Sequence, residues 1–260
     1  MDTLSRAQSL SRVEWATVGG ARVARLDLTA TARLMMEIAQ APSFDRGARI
    51  LTSVNGEVLA LAKHDARFAA LIAGADLVSA DGQAMVFASQ LLSRSPLPER
   101  VATTDLYPLV AAMAQEESVS FYLLGAREPV NRAAFEATRR SFPRLDIRGR
   151  SHGYLTGAAL EAKLDEINDL APDILWLGLG VPREQEFAWR HAPRLSNVKM
   201  IKTSGGLFDF VAGAAPRAPL WMQQAGLEWL FRVAREPRRL ARRYVTTNPV
   251  ALALLVLETR

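Results

Sequence analysis

Apolar and polar positions along the chain follow two alternating patterns. Short, almost continuous apolar runs predict buried strands over 21–28, 50–54, 76–79, 118–124, 145–149, 174–178 and 198–203. Between them, apolar residues recur at helical spacing over 30–40, 57–64, 83–92, 106–115, 129–141, 158–170 and 184–189. Leu160, Leu164, Ile167 and Leu170, for instance, fall on one helix face. Strands that alternate with helices predict an α/β domain with a mostly parallel sheet. The pattern changes after about Gly213. No strand is predicted beyond it, and Pro237 and Pro249 are expected to divide the remainder into short helical pieces. The expected organisation is an α/β core over 1–213 and a helical, Arg-rich appendage over 214–260.

Composition narrows the function classes. A chain of 260 residues that is 49% hydrophobic and 23% charged can bury a sizeable core, which excludes disordered and collagen-like chains. There is no cysteine. That excludes a disulfide framework, a Cys-ligated zinc site, an iron–sulfur cluster and a cysteine nucleophile. The three histidines, His64, His152 and His191, are too scattered to suggest a metal site. The longest apolar runs, 68–75, 174–181 and 250–257, are eight residues each, against the roughly 20 needed to span a bilayer. The N-terminus is polar with no export signal, so a cytoplasmic protein is expected.

Charge is concentrated. Arg232, Arg235, Arg238, Arg239, Arg242 and Arg243 share their segment with one acid, Glu236, so this stretch alone carries the net +5 of the whole chain. Such a patch points to an anionic partner: a membrane surface, a phosphate-bearing ligand or nucleic acid.

Ligands of open α/β sheets bind beyond the carboxyl ends of the strands, which directs attention to the polar residues that follow each apolar run. Thr52, Ser53 and Asn55 precede a helix and read either as a cap and turn or as a phosphate-binding helix start. Asp81-Gly82 reads as a turn or as a carboxylate placed to act as general base. Arg100 is suited to a phosphate or a surface acid, and Thr104 or Asp105 is expected to cap the next helix. Gly178-Leu179-Gly180 begins like a dinucleotide fingerprint, but the third glycine position is Arg183. The nicotinamide-specific pattern therefore fails, while the strand–glycine–helix context still suits phosphates. Gly205-Gly206 allows close backbone approach to a ligand.

Taken in order, these clusters resemble the WecG/TagA/CpsF glycosyltransferases, glycosyltransferase family 26. The matching residues are Ser53-Val54-Asn55-Gly56-Glu57, Ala80-Asp81-Gly82, Glu99-Arg100-Val101 with Thr104-Asp105-Leu106, Gly178-Leu179-Gly180 with Pro182-Arg183 and Gln185-Glu186, Gly205-Gly206 with Phe208-Asp209, Arg217-Ala218-Pro219, and Leu227-Glu228-Trp229 with the arginines to Arg243-Tyr244. The chain departs from the family pattern at three places. Thr52 and Ser53 both precede Asn55, Thr103 stands where the family has glycine, and the segment from Pro182 to Glu186 is one residue longer.

The resemblance implies a Rossmann-like sheet and an inverting transfer of a sugar from a UDP-sugar to a polyprenyl-diphosphate-linked glycan, for bacterial cell-surface or exopolysaccharide synthesis. It implies Asp81 as general base, a nearby hydroxyl from Ser53 or Thr52, and no bound metal or other cofactor. Substrate contacts are then expected from Asn55, Arg100, Thr104, Asp105, Arg183, Gln185, Glu186, Gly205, Gly206 and Arg217. Arg232, Arg235, Arg238, Arg239, Arg242 and Arg243 are expected to serve the acceptor diphosphate and the anionic inner face of the cell membrane, to which the protein would bind peripherally. Some relatives form oligomers. The alternative is a nucleic-acid or polyanion binder that uses the Arg cluster alone. It explains none of the core motifs, so no nucleic-acid partner is expected.

Overall fold

The computed structural model describes residues 8–41 and 47–260, with the side chains of Gln8, Ser9 and Arg239 outside that description. A short helix, α1 (Gln8–Ser11), precedes a two-stranded antiparallel sheet of β1 (Trp15–Val18) and β2 (Ala21–Ala24). The main sheet has six strands: β3 (Arg49–Val54), β4 (Leu77–Ala80), β5 (Phe121–Gly125), β6 (Ile147–Ser151), β7 (Ile174–Gly178) and β8 (Met200–Thr203). Their order is β4-β3-β8-β7-β5-β6, and every neighbouring pair is parallel. This is the expected Rossmann-like α/β architecture. Strands β4, β5, β7 and β8 are buried throughout, which is why they read as continuous apolar runs rather than alternating ones.

The connecting helices are α2 (Leu28–Ala39), α3 (Gly56–His64), α4 (Ala66–Ala73), α5 (Gln83–Leu92), α6 (Thr103–Glu117), α7 (Glu128–Ser141), α8 (Gly157–Leu170) and α9 (Arg183–His191). After β8 come α10 (Leu207–Val211), α11 (Leu220–Gln224), α12 (Glu228–Arg235) and α13 (Pro237–Leu257). From the β3–β4 side the chain crosses to β5 and β6, then returns inward through β7 to β8. Strands β3 and β8, far apart in sequence, thus lie side by side, and their carboxyl ends open one edge. One glycine fixes that edge. Gly125 ends β5 at φ +146°, and a Cβ there would lie 2.2 Å from the carbonyl oxygen of Gly178 at the end of β7.

Two expectations are corrected, and one helix appears where none was expected. The strand expected over 21–28 is only Ala21–Ala24, because Asp27 accepts the Ala30 N–H at 2.6 Å and starts α2. The apolar residues after Asp65 form a helix, α4, which Asp65 caps through the N–H groups of Arg67 and Phe68. Pro249 does not divide the C-terminal segment, because it lies inside the 21-residue α13. Packing overrides the local penalty. Ala251, Leu254 and Leu255 are buried, and the two leucines join the apolar cluster of Val18, Val23, Val58 and Leu59.

The end of the chain is also tied to the β1–β2 turn. The Gly19 N–H donates to the Thr259 hydroxyl, the Gly20 N–H to the Glu258 carbonyl and the Arg260 N–H to the Thr17 carbonyl, each at 3.0 Å. The segment after 213 therefore begins outside the sheet and ends stitched into the N-terminal hairpin.

Candidate active site at the carboxyl edge of the sheet

Asp81 directly follows β4. Its N–H donates to the Val54 carbonyl at the end of β3, 2.8 Å away, which fixes the backbone across the sheet edge. Its carboxylate oxygen Oδ2 accepts the N–H of Thr103 at 3.2 Å and the Thr103 hydroxyl at 3.1 Å. Thr103 opens α6, so the carboxylate sits at a helix N-terminus, where negative charge is favoured. Burial nevertheless dominates and raises the Asp81 pKa. The Thr103 N–H and the charges of Lys202 and Arg100 oppose that rise.

The hydroxyls of Thr52 and Ser53 go to opposite faces of β3, as strand alternation requires. Thr52 is buried, 2.9 Å from the Thr203 hydroxyl on β8, and accepts the side-chain amide of Gln185 at 3.3 Å. Ser53 is half-buried and accepts a bond from the Lys202 ammonium at 2.9 Å. Lys202, only 1% exposed, also donates to the Thr203 carbonyl at 2.8 Å. Its pKa is lowered by burial to about 8, against the pull of Asp81 and Glu184.

Glu184, in the first turn of α9, points inward. Its carboxylate accepts the N–H of Gly205 at 2.9 Å and that of Gly180 at 3.1 Å. Burial raises it to about 7, opposed first by the Gly205 bond and then by Lys202. Two backbone donors that the glycine motifs suggest for a phosphate are thus already turned toward an internal carboxylate. Beside them, Oε1 of Gln185 and Oγ of Ser204 are buried with no partner among the described residues. Two unsatisfied buried acceptors at a strand edge suit an arriving ligand donor.

A second cluster leans over Asp81. Arg100 pairs with Glu228 at 2.9 Å and lies 3.6 Å from Asp105. Arg217 takes Asp105 with two nitrogens, contacts Gln223 and lies 3.8 Å from Glu228. Neither Thr104 nor Asp105 caps α6, because the helix already starts at Thr103; Asp105 instead holds the two arginines. Asn55 does cap α3, accepting the Val58 N–H at 3.2 Å. Arg183 and Glu186 lie apart, on a cavity of about 180 Å³ shared with His152, Leu179 and His191, with the Arg183 guanidinium 5.9 Å from the Tyr154 ring centre.

A sequence profile of the glycosyl transferase WecG/TagA/CpsF family matches residues 16–260. The chain belongs to this family. Over 207 residues it is 30% identical to an N-acetylglucosaminyldiphosphoundecaprenol N-acetyl-β-D-mannosaminyltransferase of Bacillus spizizenii, covering 78% of this chain and 79% of the relative. An enzyme of the same name from Bacillus subtilis is 28% identical over 196 residues, 74% of each chain.

The structure of this glycosyltransferase disperses the arginines that are neighbours in sequence. Arg243 turns back to Glu57 at 3.0 Å, Arg232 lies over Phe210 and Arg235 over Phe231. Arg238 and Arg242 are exposed. The same segment exposes Leu220, Trp221, Trp229 and Leu230, while the Trp229 ring packs 5.6 Å from Tyr244. No helix among the described residues is long and apolar enough to cross a membrane. Lys202 is the site residue that motif reading missed. Its only signal was a lysine set within an apolar strand run, Met200-Ile201-Lys202-Thr203.

Proposed function

We propose that this glycosyltransferase moves a sugar from a UDP-sugar to a polyprenyl-diphosphate-linked glycan, inverting the anomeric centre. The observation that carries the reading is Asp81: a carboxylate at the sheet's carboxyl edge, held twice by Thr103 and opposed to burial by Lys202 and Arg100. As general base it takes the proton of the acceptor hydroxyl while that oxygen bonds to the anomeric carbon and the bond from that carbon to the UDP oxygen breaks. Negative charge then grows on UDP. Arg100 and Arg217, which lean over Asp81, are the cations on that edge suited to it, and the transfer runs without a bound metal. The names of the two Bacillus relatives support a lipid-linked N-acetylglucosamine acceptor and an N-acetylmannosamine donor as the first pair to test.

The enzyme works as a peripheral protein on the inner face of the cell membrane, in cell-surface or exopolysaccharide synthesis. Exposed Trp221, Leu220, Trp229 and Leu230, with Arg238 and Arg242 nearby in sequence, support this placement.

The test is transfer of radiolabelled sugar from UDP-N-acetylmannosamine to a polyprenyl-diphosphate N-acetylglucosamine in vesicles containing EDTA. The wild-type chain is expected to form product. Asp81→Asn is expected to lose turnover while still binding UDP by calorimetry. Near-normal turnover of Asp81→Asn would exclude it as base.

A further inference from the structure

Helices α11 and α12 have no buried residue, yet they are held at the edge that carries Asp81. Gly226, in the turn between them, packs on the start of α5, where a Cβ would lie 3.5 Å from Gln83 and 3.7 Å from Phe87. Arg100 flanks Asp81, because the Val101 N–H donates to the Ala80 carbonyl at 2.8 Å. Glu228, the first residue of α12, reaches that Arg100. With so little apolar burial, polar contacts fasten these helices to the core, and such contacts open easily.

Glu228 sits between two guanidinium groups. Its Oε2 accepts from Arg100 Nη1 at 2.9 Å, and its Oε1 lies 3.8 Å from Arg217 Nε. That Nε is buried and has no hydrogen-bond partner among the described residues. A buried donor left unpaired is costly, so it favours an acceptor that comes closer than Glu228 does. One anion thus spans two arginines with one oxygen toward each, the contact that two oxygens of a diphosphate would make. With Asp105, the cluster holds two cations and two carboxylates and is neutral as it stands. A diphosphate draws on both cations only when one carboxylate withdraws, since like charges this close repel. Asp105 is held by two nitrogens of Arg217, whereas Glu228 accepts a single hydrogen bond, so Glu228 is the one to leave.

We infer that Glu228 is a gate for a diphosphate: it occupies Arg100 and faces Arg217 Nε until the diphosphate takes both, and its departure unfastens α12. The inference rests on the reading of Arg100 and Arg217 as the cations that serve the transfer. The diphosphate belongs either to the nucleotide donor or to the lipid-linked acceptor, which share this chemistry.

The experiment measures, by calorimetry on the full chain, affinity for UDP, for farnesyl diphosphate and for uridine, which has no phosphate. Glu228→Gln keeps the shape and removes the charge. It is expected to tighten binding of UDP or of farnesyl diphosphate about fivefold, with uridine unchanged. The ligand that gains tells whether donor or acceptor supplies the diphosphate. The gain is expected to vanish when Arg100→Met is added. Weaker diphosphate binding in Glu228→Gln would overturn the inference, because Glu228 would then be orienting Arg100 for the ligand. Unchanged affinity for both diphosphates, or an equal change for uridine, overturns it as well. If Glu228→Gln does not fold, the wild-type chain carries the test. A saturating diphosphate is expected to speed tryptic cleavage after Arg232 in α12, and slower or unchanged cleavage with both ligands overturns the gate. Failure of the underlying reading looks different: Arg100→Met and Arg217→Met would each bind both diphosphates as tightly as wild type.

Discussion

Thr103 donates twice to a single oxygen of Asp81, through its N–H at 3.2 Å and its hydroxyl at 3.1 Å. The residue is 5% exposed and opens α6, so its hydroxyl cannot be replaced by water without moving the helix start. Thr103→Val keeps the shape and the backbone bond but removes one donor to a charged acceptor. Such a bond is worth roughly 1.5–3 kcal/mol. The carboxylate becomes harder to maintain, so kcat/KM at neutral pH is expected to fall about tenfold or more and the acid limb to move upward. Steady-state rates across pH check this. An unchanged limb would mean that the hydroxyl serves only the helix.

The pair Arg217 and Asp105 joins residues 112 positions apart and fastens the segment before α11 to the first turn of α6. Both side chains are partly exposed, at 27% and 37%, so solvent screens the pair. A double-mutant cycle with Arg217→Met and Asp105→Asn is expected to show a coupling of about 1 kcal/mol in thermal stability. Loosening should also be local, with faster protease cleavage between Gly213 and Leu227 in Arg217→Met. Equal cleavage of variant and wild type would assign Arg217 to ligand binding rather than to fastening.

Much of this site was legible because a buried parallel strand ends sharply. Apolar runs stop at Val54, Ala80, Gly178 and Thr203, and the polar residues beyond them share one edge. What sequence hid was direction. Thr52 and Ser53 are adjacent, yet one is sealed under Gln185 and the other meets Lys202. Arg242 and Arg243 are adjacent, yet one is exposed and the other bonds Glu57, since successive helical residues point about 100° apart. The first strand of the hairpin, 15–18, was missed because it has only four residues, although Gly19-Gly20 after it is a turn signal. Pro249 misled because local propensity is a weak prior against the burial of Leu254 and Leu255.

Dispersal of the arginines sharpens the membrane prediction. Arg238 and Arg242 are exposed, whereas Arg243 is engaged with Glu57. Replacing Arg238 and Arg242 with Ala is expected to weaken binding to anionic liposomes about tenfold or more, at about 1 kcal/mol for each cation, with no change on neutral vesicles. Arg243→Ala is expected to lower the melting temperature more than it lowers liposome binding. Sedimentation with vesicles and a thermal melt separate the two effects. Unchanged binding of the double variant would remove these two arginines from the membrane role.

Glu184 makes stability at this edge depend on pH in a definite direction. Burial raises its pKa from the ordinary 4.5 to about 7. The folded state therefore holds a proton between those values that the unfolded chain has already released. With more protons bound in the folded state, stability falls as pH rises through this window. Burial raises Asp81 as well, which adds to the same slope. Lys202 acts elsewhere: lowered from 10.5 to about 8, it gives a stability that rises with pH between those values. Glu184→Gln removes one titration and leaves the other two. The melting temperature of wild type relative to Glu184→Gln is expected to decline from about pH 4.5 to about pH 7 and to stay level above it. A difference that is flat across the lower window would mean that Glu184 is already ionised in the folded protein, held so by the N–H groups of Gly180 and Gly205.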